Sequence, residues 1–91
     1  MATQNWMRPA LAYLFDHSET AELQQAVRNA TALSTLRIAL TEALSTGDQL
    51  NLPAGEKGDN LILALIALRL KFPRAEAEQK LELNLQLRDQ A

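Results

Sequence analysis

Leu11, Leu14 and Phe15 recur at the spacing of one helical face, with Met7 and Ala10 beside them, and predict a first helix over residues 5–17. Pro9 suits only the first turn of that helix, where backbone N–H groups lack intrahelical partners. Asp16-His17-Ser18-Glu19 reads as one helix ending and another starting. Ser18 can cap, and Glu19 and Glu22 fall in the next first turn, where the helix dipole favours anions. Further along, Leu23, Ala26, Val27 and Ala30 share one stripe, whereas Leu33, Leu36, Leu40 and Leu44 form a second. The two are offset by roughly a quarter circle at about 100° per residue. A phase reset near Thr31-Ala32 predicts a turn between two helices, with one bent helix as the alternative.

Gly47, after Ser45-Thr46, suits the left-handed position beyond a helix C-terminus. The run DQLNLPAGEKGD then reads as a loop with a short extended piece over residues 50–52, and Asp59 as the N-cap of a further helix. Residues 60–72 are apolar nearly all round (Leu61, Ile62, Leu63, Ala64, Leu65, Ile66, Ala67, Leu68, Leu70). Such a helix is either the central one of a small domain or has a face covered by another chain. Arg69 and Lys71 fall in its last turn, and Pro73 forbids simple continuation.

From Lys80 to Arg88, KLELNLQLR alternates leucine with polar residues, and two structures compete for it. In a strand, Leu81, Leu83, Leu85 and Leu87 share one face; in a helix, Leu81 and Leu85 point away from Leu83 and Leu87. Glu, Gln, Lys, Leu and Ala favour helix, and no β-branched residue occurs after Ile66. Both readings stay open at this point, with helix favoured for residues 74–79 after a proline start.

The expected fold is therefore mainly α: one domain over residues 1–91, with about four helices and a C-terminal segment that is either a β-strand or a fifth helix. Composition narrows the rest. A 91-residue chain buries only roughly 60–65% of the surface it exposes unfolded, so its core is marginal. Hydrophobic residues make up 47% and charged ones 22%, too apolar for a disordered segment. Without cysteine there is no disulfide, thiolate nucleophile or Cys-ligated zinc. MATQNW lacks a basic n-region before an apolar stretch, and the longest near-continuous apolar run, residues 61–68, is far short of the roughly 20 residues of a membrane span. A cytoplasmic protein without membrane contact is expected. A net charge of −2 argues against nucleic acid as partner, whose binding rests largely on neutralising phosphates.

Catalysis has little to draw on. His17, the sole histidine, stands between Asp16 and Ser18, but sequence neighbours do not present triad geometry, and a zinc site with Glu19 and Glu22 lacks a fourth ligand. Gly55-Glu56-Lys57-Gly58 has the GxxG form with which KH modules clamp phosphates, but Pro53 precedes it and one variable residue is acidic, so it reads as a loop. Val27, Leu33, Ser34 and Ile38 fall at offsets compatible with a helix-turn-helix, whose recognition helix would carry Arg37 as its only cation. LTEALSTGDQLNLP is similar to the helix-to-strand passage of HU-like DNA-bending proteins over a small part of the chain, and the apolar helix after it departs from that fold's basic β arms. Asn29-Ala30-Thr31 matches a glycosylation acceptor, without meaning where no secretion signal precedes it.

Three of the four aromatics, Trp6, Tyr13 and Phe15, sit near the start, as core anchors or as a contact patch. RLKFPR makes the only basic cluster, either completing helix ends or docking an acidic partner. The resulting expectation is a non-enzymatic interaction module, an adaptor, chaperone or regulatory subunit. It homodimerises or binds another protein through the apolar helix of residues 60–72 and the leucine ladder. Its candidate partner-binding residues are Leu81, Leu83, Leu85, Leu87, Arg69, Lys71 and Arg74, with no cofactor, metal or small-molecule substrate inferred. The alternative is a small helix-turn-helix DNA-binding regulator.

Overall fold

The apolar spacings resolve into five helices in the computed structural model, which describes residues 6–44 and 52–90: α1 Met7–His17, α2 Thr20–Arg28, α3 Ala30–Leu44, α4 Gly55–Lys71 and α5 Arg74–Gln90. No strand occurs among the described residues, and none of their helices is long and apolar enough to cross a membrane. The Cα radius of gyration, 12.6 Å, is close to the roughly 12 Å of a packed chain this long. The five helices therefore bury their apolar faces against one another.

Helix α1 buries Met7, Ala10, Leu11 and Leu14, with Trp6 just ahead of it also buried and Phe15 half-buried. Glu19, not Ser18, holds the N-cap position of α2, and Ser18 is buried as the residue that closes α1. The break between α2 and α3 falls at Asn29, two residues before the expected reset. There the Asn29 carboxamide Oδ1 accepts from the backbone N–H groups of Thr31, at 2.8 Å, and Ala32, at 3.3 Å. The Asn-Ala-Thr triplet is thus an N-cap for α3, satisfying two donors that would otherwise lack partners. Leu33, Leu36 and Leu40 of α3 are buried as their stripe predicted. Of the second helix's stripe, Leu23 and Ala26 are buried, while Val27 is exposed. The expected stop at Gly47 and most of the extended piece over residues 50–52 fall outside the described residues.

Helix α4 begins earlier than its apolar run. Gly55 takes a φ of +69°, a left-handed conformation that glycine adopts without strain. The stretch Gly55-Glu56-Lys57-Gly58 is therefore the first turn of a helix and not a loop, and Asp59 lies inside the helix instead of capping it. The helix packs against all four others, with Gly58, Leu61, Ile62, Leu65 and Ile66 buried and Leu63, Ala67, Leu68 and Leu70 half-buried. Each fully buried leucine or isoleucine contributes about 1.5–3 kcal/mol, which makes α4 the main source of apolar burial. Phe72 ends it with its N–H on the Leu68 carbonyl at 3.1 Å; after Pro73, the Ala77 N–H to Pro73 carbonyl bond at 2.9 Å opens α5.

Polar side chains then tie α4 to its neighbours. Arg69 donates from Nε to the Leu14 carbonyl, at 3.2 Å, and from a terminal nitrogen to the Ser18 carbonyl, at 3.3 Å, with its guanidinium 5.0 Å from the Phe15 ring centroid. A cation supplied by another helix thus completes the C-terminal end of α1. Arg37 does the same between α3 and the start of α4, donating to Asp59 Oδ1 at 2.7 Å and to the carbonyls of Pro53 and Gly55. Arg69→Met keeps the length of the side chain and removes these bonds. It is expected to cost about 1 kcal/mol in urea unfolding without changing helix content.

Candidate interaction surface

Helix α5 splits the leucine ladder. Ala77, Leu81 and Leu85, spaced four apart, face the core, with Leu81 3% and Leu85 5% exposed. Leu83 and Leu87, also four apart, lie on the opposite side and are each 61% exposed. The expectation that residues 80–88 are either strand or helix resolves as helix, and the common leucine face of the strand alternative does not form. The reason is physical. A strand needs a neighbouring ladder for its backbone groups, whereas Glu, Gln, Lys, Leu and Ala satisfy theirs internally as a helix.

The charged residues of α5 mostly close on the chain itself. Glu82 receives two bonds from the Arg8 guanidinium, both at 2.8 Å, which bracket α5 to α1. Arg74 reaches Asp16 at 2.7 Å and Glu78 at 3.4 Å, and its guanidinium lies 5.8 Å from the Phe15 ring centroid. The Lys80 ammonium sits 4.6 Å from the Phe72 ring centroid. Each exposed pair stabilises little, so these contacts accompany the rotation of α5 about its axis that buries Ala77, Leu81 and Leu85. That rotation decides which leucines are inside.

Hydrogen bonding from Arg8 holds the Glu82 carboxyl below its ordinary value. A group whose folded value is depressed adds stability above its unfolded value and loses it as pH falls through the folded one. Glu82→Gln is therefore expected to flatten the acid side of the stability profile, its loss of stability being greatest near neutrality and vanishing as the pH falls, where the two proteins converge. Urea midpoints of both proteins between about pH 3 and pH 7 check this; parallel profiles would count against it.

The candidate partner-binding residues thus divide into three groups. Leu81 and Leu85 belong to the core, and Arg69 and Arg74 are engaged with α1. Leu83, Leu87 and Lys71 remain on the outside. Two further apolar side chains are exposed, Val27 on α2 and Ile38 on α3. Both are positions that a helix-turn-helix would use for packing, so nothing in the apolar spacing signals their exposure. Ser34 lies in the second turn of α3, and Arg37 points into its bonds with Pro53, Gly55 and Asp59. Among the described residues no three His, Asp or Glu side chains gather as a metal site. No protein-family model, curated protein or solved structure matches this chain.

Proposed function

We propose that this protein works by contact, as a helical adaptor, chaperone or regulatory subunit, and that the outward face of α5 associates with a second copy or with another protein. The observation that carries the reading is the pair Leu83 and Leu87, one turn apart and each 61% exposed on a helix whose other side is core. Two leucines at this spacing are the anchor pattern of a helix laid against an apolar groove or another helix. Of the neighbouring polar positions, Gln79 and Gln86 are uncharged, Glu78 and Glu82 are paired within the chain, and Lys80 lies over the Phe72 ring.

Burial of two leucines contributes about 3–6 kcal/mol, no more than the order of the cost of association, so the contact is weak unless neighbouring side chains add to it, and its population depends on concentration. Light scattering is expected to show a molar mass that rises above 10.1 kDa as concentration increases. The double variant Leu83→Lys/Leu87→Lys is expected to remain at the monomer mass with its helix content intact. A wild-type chain monomeric at every concentration would remove the self-association arm, and retention of the higher mass in the variant would place the contact elsewhere.

The helix-turn-helix reading has less support. Val27 and Ile38 would have to turn inward, and Arg37 would have to leave three acceptors to meet phosphate.

A further inference from the structure

Helices α1, α2 and α3 do not close on one another along their whole length. Where Tyr13 and His17 of α1 border α3, that helix presents Ala32, Thr35 and Ala39, side chains too short to fill the space, and an open cleft of about 530 Å³ remains. This volume lies within the roughly 300–1,000 Å³ of small-molecule sites. Leu36 is its buried apolar floor, and Tyr13 is its aromatic wall, 4.8 Å from the His17 ring between centroids and tilted by 41°. Glu22, from the first turn of α2, and Gln25 complete its lining.

The charge of the lining selects among ligands. No lysine or arginine lines the cleft, and Glu22 brings a carboxylate to it. That carboxylate has no hydrogen-bond or ion-pair partner among the described residues. An anion would meet repulsion there, and a neutral apolar molecule would cover the carboxylate without compensating it. A cation gains from the carboxylate, and an aromatic ring in the lining, Tyr13, favours it over an anion. We infer that this cleft binds a small organic cation with an apolar body, the body against Leu36, Ala32 and Ala39 and the ammonium group between Glu22 and Tyr13. The inference is independent of the contact role of α5, which lies on other residues.

The probe is 2-phenylethylammonium, compared with the neutral 2-phenylethanol, titrated through the low-millimolar range against the full chain and followed by amide chemical shifts. Saturable shifts are expected at Tyr13, His17, Thr35 and Ala39, with the ammonium binding more tightly than the alcohol. Glu22→Gln, an exposed change that leaves the core untouched, is expected to weaken the ammonium by about fivefold and the alcohol little. Ala39→Leu, which fills the cleft, is expected to abolish saturation while far-ultraviolet circular dichroism stays unchanged. Absence of saturable shifts, equal affinity for the two probes, or indifference to Glu22→Gln would each overturn the assignment.

Discussion

Leu81→Lys is expected to abolish the cooperative thermal transition of this protein, whereas Leu83→Lys, two residues further along the same helix, leaves it nearly unchanged. Leu81 is 3% exposed and Leu83 is 61% exposed, so one change buries an ammonium group and the other only alters a solvated face. Truncating a buried leucine to alanine already costs about 2–5 kcal/mol. A lysine at the same place adds the desolvation of its charge, against a total stability of about 5–15 kcal/mol that a small domain approaches from below. The pair also tests the conformation of α5 directly. In a strand with all four leucines on one face, both lysines would act alike; in the helix they separate completely. Far-ultraviolet circular dichroism during thermal unfolding reads the difference, and equal destabilisation by the two variants would sink the helical assignment.

The leucine ladder shows why some of the fold is legible in the sequence and some is not. A period of two over eight residues decomposes into two stripes of period four on opposite sides of a helix, so the pattern of leucines alone cannot choose between the structures. The choice lies in the intervening residues. Glu82, Asn84 and Gln86, with Ala75 and Ala77 before them, carry no β-branching, and a lone strand would have had no neighbour to pair with. Helix α1 and the apolar run of α4 are readable because local spacing and burial agree there. The reset between α2 and α3 is readable to within two residues; its position at Asn29 rests on a capping signal that also fits a glycosylation triplet.

The candidate surface is half legible for the same reason. Leu83 and Leu87 are outside and Leu81 and Leu85 inside, but which pair faces the core depends on how α5 packs against α1 and α4, where the Arg74–Asp16 and Arg8–Glu82 pairs join residues 58 and 74 positions apart in the chain. The basic cluster shows the converse. By sequence the basic cluster either completes helix ends or docks an acidic partner; Arg69 completes the end of α1, Arg74 pairs with Asp16, and both flank Phe15, contacts that no local window contains. The exposure of Ile38 and Val27 is hidden because their spacing also fits core positions, and a helix packed on one side only leaves such flanking positions open.

Gly58→Ala carries the sharpest test of a long-range constraint, because local and tertiary effects have opposite signs. Gly58 lies in α4 with ordinary helical dihedrals, and in an exposed helix interior alanine would stabilise it by about 1 kcal/mol. Here a β-carbon would run into the Pro53 carbonyl oxygen and lie 2.8 Å from both terminal nitrogens of Arg37. The first obstacle is backbone, and the second is a guanidinium engaged with Pro53, Gly55 and Asp59, so neither gives way without loss of the bonds that hold α3 to the start of α4. Overpacking of this kind costs about 1–3 kcal/mol, and broken bonds to a charged group add about as much. The expected balance is a net loss of about 2 kcal/mol, or roughly 8–15 °C in Tm for a domain of this size. Arg37→Ala removes one obstacle and the bonds together, so adding Gly58→Ala in that background should cost less than in the wild type. Coupling of that sign in a double-mutant cycle would place the glycine requirement in the Arg37 clamp. A gain in stability from Gly58→Ala in the wild type would show that the approach of Pro53 to α4 is looser than the structure has it.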